Sequence, residues 1–65
     1  MNTHCILLGM MGWTSVIVDQ LAEKGFEVEY LPKLNALLIY NTTKEKVRRA
    51  MEPGFDGGKI IEFEE

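Results

Sequence analysis

The side chains with the most intrinsic chemistry in this sequence are few and close together. Cys5 is the sole thiol and His4, beside it, the sole imidazole, with Met10 and Met11 a few residues on. By composition this is a soft-metal set, suited to Cu(I). Its spacing argues otherwise, because neighbours on an extended chain project to opposite faces, so His4 and Cys5 cannot ligate one ion without distortion. The same geometry weakens a nucleophile–base pair, which needs the base placed across a cleft. The expected role of Cys5 is a buried core residue, and no metal, cofactor or catalytic residue is expected. One cysteine also excludes an internal disulfide and a four-cysteine zinc site, and a lone thiol suits a reducing compartment.

The second candidate is the segment Gly9-Met10-Met11-Gly12, which precedes a helical pattern. Backbone N–H groups there, with the helix dipole behind them, could hold an anion or a ligand carboxylate, although a plain tight turn uses the same residues. No Walker-type Lys-Ser/Thr follows, and the three-glycine dinucleotide fingerprint is missing. The third candidate is Lys44, Lys46, Arg48 and Arg49, four of the seven basic residues in one short helix. A solvated helix face accounts for them better than phosphate contacts. Base stacking on a sheet would have only Tyr40 to work with, beside the repelling carboxylates of Glu27 and Glu29, so nucleic acid is not an expected partner. The formal net charge of −3 is too modest to point to a partner class.

The elements that must position these residues follow from periodicity. His4 to Leu8 reads as a buried strand ended by Gly9. Trp13 to Lys24 reads as an amphipathic helix, with Ile17 and Leu21 inward and Asp19 and Glu23 outward, closed by Gly25. Phe26 to Tyr30 alternates apolar and acidic, the period of a half-buried strand, and Pro32 stops it. Ala36 to Tyr40 is uniformly apolar, as a central strand would be, so the two runs form a hairpin. Thr42 and Glu45 have the spacing of a capping box for a second helix burying Val47, Ala50 and Met51, with Pro53-Gly54 as its terminator. Lys59 to Phe63 is the last strand.

In 65 residues the order β-α-β-β-α-β makes a single domain, residues 1–65. It predicts an α+β, ferredoxin-like sandwich: a four-stranded antiparallel sheet of order 4-1-3-2 with two helices on one face. The alternative is the same fold without its fourth strand. The uncharged run Cys5 to Val18 is 14 residues long, short of the roughly 20 that span a bilayer, so no membrane segment is expected. The absence of Lys or Arg in Met1 to His4 argues against a secretory signal, and the expected location is cytoplasmic.

Two families share features with these segments. Gly9-Met10-Met11-Gly12-Trp13-Thr14-Ser15 resembles the loop of heavy-metal-associated domains, in which a Gly-Met pair introduces two cysteines. Gly12 and Ser15 occupy the cysteine positions here, so the metal chemistry of that family is not implied. Leu21 to Val28 and Glu45 to Met51 resemble ACT domains, regulatory modules that often bind amino acids at a dimer interface. That resemblance implies a ligand-sensing role at the Gly9–Gly12 loop as an alternative function.

Strand parity then singles out a surface. With Val28, Tyr30, Ile61 and Phe63 facing the helices, Glu27, Glu29, Glu62 and Glu64 face outward. With Cys5, Leu7, Leu37 and Ile39 in the core, Ile6, Leu8, Leu38, Tyr40 and Ile60 lie on the open side of the sheet. An apolar centre with an acidic rim is built like a protein-binding surface, although central strands are also apolar on both faces for packing alone. The leading expectation is a non-enzymatic regulator or inhibitor that docks through Ile6, Leu8, Leu38, Tyr40, Ile60, Glu27, Glu29 and Glu62 on another protein or on a second copy. A metal carrier using Cys5 and the methionines ranks third.

Overall fold

A computed structural model describes residues 2–9, 14–51 and 59–65. Its elements are β1 (Thr3–Leu8), α1 (Thr14–Glu23), β2 (Glu27–Leu31), β3 (Ala36–Tyr40), α2 (Lys44–Ala50) and β4 (Lys59–Glu64). All three strand pairings are antiparallel and the sheet order is β2-β3-β1-β4, the predicted order read from the other edge. The fourth strand is formed and pairs along the whole of β1.

Local sequence explains the boundaries. Gly25 sits at φ 90°, Phe26 N–H donates to Leu21 O at 3.0 Å and Gly25 N–H to Ala22 O at 3.1 Å. This 6→1 and 5→2 pair ends α1 on the left-handed residue that glycine supplies without strain. The β2–β3 turn closes through Leu34 N–H to Leu31 O at 3.2 Å, with Asn35 at φ 48°; asparagine tolerates that region better than most residues.

At the start of α2 the cap is Thr43, whose hydroxyl accepts from Lys46 N–H at 3.3 Å, and not the expected Thr42. Asn41 takes a left-handed φ of 54° and uses up one residue in leaving β3. Thr42 then turns inward, 2% exposed, where its N–H donates to Thr3 O at 2.9 Å and its carbonyl accepts from the Cys5 thiol. The helix ends at Ala50 with Met51 as C-cap, and the expected terminator Pro53-Gly54 lies outside the described residues.

The core forms between the helices and one face of the sheet. Cys5, Leu7, Leu37 and Ile39 meet Ile17 and Leu21 of α1 and Val47 of α2, with Val18, Phe26, Val28, Ala50, Met51 and Ile60 packed around them. Burial pushes the Cys5 thiol above its ordinary value of 9.0, and the nearby Glu62 carboxylate adds to this while Lys44 opposes it. A raised folded-state value means the neutral thiol contributes stability that is complete below pH 9.0 and is lost as pH rises through the folded value. Cys5 is therefore expected to react with a chromogenic disulfide reagent at about pH 8 at least 100-fold more slowly in native protein than in urea. Comparable rates would show that the β1–α2 contact opens freely.

Candidate functional site

The face of the sheet away from the helices is assembled by three cross-strand rows. Register places Leu31, Ala36, Leu8 and Lys59 in the first row, Glu29, Leu38, Ile6 and Ile61 in the second, and Glu27, Tyr40, His4 and Phe63 in the third. Directly paired residues on antiparallel strands share a face, so each row is a line of side chains across the sheet. Neither helix covers these rows: the described residues of both helices pack on the opposite face. Along these rows Ala36 is buried, Ile6, Leu8 and Leu38 are half-buried, and Ile61 is 40% exposed.

Ile6, Leu8, Leu38, Tyr40, Glu27 and Glu29 stand together on this face, and Ile60 and Glu62 do not. The expected parity of β4 is reversed. Ile60 pairs with Leu7 and packs on the core, whereas Ile61 pairs with Ile6 and Phe63 with His4 on the open side. Glu62 pairs with Cys5 on the helix side, where its Oε1 accepts from Lys44 N–H at 2.8 Å. That bond satisfies a free N–H in the first turn of α2 and sets a carboxylate against the positive end of the helix. Glu64, opposite Thr3, shares that side and not the outward face expected of it. Tyr30 has the expected helix-side parity but, at the sheet edge, stays 47% exposed.

His4 is the residue that the face adds unexpectedly. It is 6% exposed, held edge-on to Tyr40 at 5.5 Å between ring centroids and tilted against Phe63 at 5.6 Å. Its Nδ1 accepts from Asn41 N–H at 2.9 Å, so the neutral ring carries its proton on Nε2. Nε2 has no hydrogen-bond partner among the described residues, and Glu65 Oε1 stands 3.5 Å away. Beside it the Tyr40 hydroxyl donates to Glu29 Oε1 at 2.9 Å. This bond, which favours the protonated phenol, is the main cause that raises the Tyr40 pKa above 10.0. His4 and Cys5 face opposite sides of the sheet. Period-two spacing along His4, Ile6 and Leu8 carried the signal that His4 belongs with the open face.

No family model matches the chain, and comparisons with curated proteins and with solved structures return no match. The site is therefore read from its own geometry. Of the candidate ligand loop, Gly9 is exposed with φ 78°, and Met10, Met11 and Gly12 lie outside the described residues. On α2 the exposed Arg49 pairs with Glu45 one turn earlier, and Lys24 donates to the Ala50 carbonyl near the end of the helix. A cleft of about 400 Å³ is lined by Lys24, Glu27, Tyr40 and Lys46, so residues of both charges border it. Among the described residues no three His, Cys, Asp or Glu side chains converge as metal ligands would, and no helix is long and apolar enough to cross a membrane.

Proposed function

We propose that this chain is a non-enzymatic protein-binding module, a regulator or inhibitor that acts by laying the open face of its sheet on a protein surface. The observation that carries this reading is the apolar band formed by Leu31, Leu8, Leu38, Ile6, Ile61 and Phe63, which no described residue of either helix covers and which Glu27 and Glu29 border. An apolar centre with a charged border is the anatomy of an interface core and rim. The sole cysteine and sole histidine support it too, since one is buried and hydrogen-bonded to Thr42 and the other is held by Asn41.

Leu38→Glu and Tyr40→Lys are expected to lower association through this face at least 100-fold while the circular-dichroism spectrum stays unchanged, because each places a charge in the desolvated centre. Sedimentation velocity across a concentration series, with capture from a host lysate in parallel, measures this. Association unaltered by either substitution overturns the reading.

A further inference from the structure

We infer that the occupant of this face is a second copy of the chain, packed sheet to sheet about a two-fold axis that runs along the strands. The inference rests on the docking reading above and adds the partner and its register. Its basis is the distribution of charge among the three rows. Glu27 and Glu29 stand at the β2 edge, and Lys59 at the β4 edge is the one ammonium in the rows.

A two-fold along the strands lays β2 of one copy over β4 of the other and keeps each row over its own counterpart. Leu38 then meets Ile6 of the second copy, Leu31 meets Lys59, and Glu29, in the adjoining row, comes within reach of that ammonium. Symmetry repeats the pairing at the other edge, as an isologous interface requires. The competing two-fold, across the strands, sets β2 on β2 and Glu29 directly on Glu29 of the second copy, while Lys59 meets Phe63. Like charges juxtaposed at an interface disfavour that arrangement. Under the favoured axis Tyr40 lies over His4 of the second copy, stacking the two aromatic rows on each other. Glu27 and Glu65 of the second copy, also one row apart, approach at the rim as a like-charge pair that opposes the Glu29–Lys59 attraction, so the preference between the two axes rests on avoiding the direct Glu29–Glu29 contact.

Strands about 4.8 Å apart and same-face residues about 6.7 Å apart give a footprint of about 400 Å² per copy, or about 800 Å² for the pair, below the roughly 1,200 Å² of a standard stable interface and in the range of a weak, concentration-dependent dimer. The product is an aligned sheet-on-sheet sandwich with the helices outside.

Charge reversal on the intact chain tests the register by sedimentation equilibrium. Lys59→Glu and Glu29→Lys are each expected to raise the dimer dissociation constant about 10-fold, and the double variant to return it to within about threefold of the original, all weakening in high salt. Thermal melts of each variant at one dilute concentration separate this from misfolding, Glu29→Lys in particular because it also removes the Tyr40 bond. A chain monomeric at every concentration overturns the inference, as does a dimer that ignores the charge reversals. The two failures remain distinct: a dimer lost in Leu38→Glu but indifferent to charge keeps the docking face and refutes this register, whereas a dimer indifferent to Leu38→Glu refutes both.

Discussion

Leu37→Ala is expected to remove a large part of the fold's stability near 25 °C. Leu37 is fully buried, in the layer where β3 meets both β1 and β2 beneath the helices. Removing its isobutyl group costs about 3–5 kcal/mol in transfer and cavity terms, against a total stability on the order of 3–10 kcal/mol for a chain of this length. A small domain has little margin, because it buries only about 60% of its unfolded surface. Urea titration followed by circular dichroism measures the loss, with Leu38→Ala, next in the chain and half-buried on the other face, as the comparison at about 1 kcal/mol. Equal losses at the two positions would show that the sheet has no preferred inner face.

The sharpest contrast is expected between two adjacent isoleucines. Ile60→Asp should destabilise the fold by about 3 kcal/mol or more, since the carboxylate would lie against the core beside Leu7 with no partner. Ile61→Asp should cost the fold less than about 1 kcal/mol, because Ile61 is 40% exposed, and should instead weaken association through the open face. Thermal melts at one dilute concentration and sedimentation at several separate the two effects. The opposite ranking would mean that β4 is one residue out of register with β1.

That pair marks where periodicity stops being informative. Glu27-Val28-Glu29 alternates cleanly, so the inner face of β2 is legible in the order of its residues alone. Lys59-Ile60-Ile61-Glu62-Phe63 offers two apolar residues in succession, and either phase leaves an apolar side chain on each face. Glu62 makes the misleading phase attractive, since an acid at a sheet edge reads as solvent-facing. Its place on the helix side follows from Lys44 N–H, a donor that only the packed position of α2 brings near. Thr42 and Thr43 pose the same difficulty at smaller scale: two adjacent hydroxyls suit a helix cap, and the left-handed Asn41 decides between them.

By itself the sequence determined the number and order of the elements, the antiparallel sheet with its central strands, and the inward set Cys5, Leu7, Leu37 and Ile39. Those properties follow from spacing along the chain, where strand and helix periods, a left-handed glycine and a turn at Pro32 act over a few residues. It also marked Ile6, Leu8, Leu38 and Tyr40 as a second apolar face. Only the tertiary structure decided which β4 side chains join that face, that His4 is buried within it, and that Glu62 serves α2. Each of these depends on register between segments far apart in the chain, β1 with β4 and β1 with the end of β3. There, hydrogen-bonded pairing and not local periodicity selects the side of the sheet on which a residue lies.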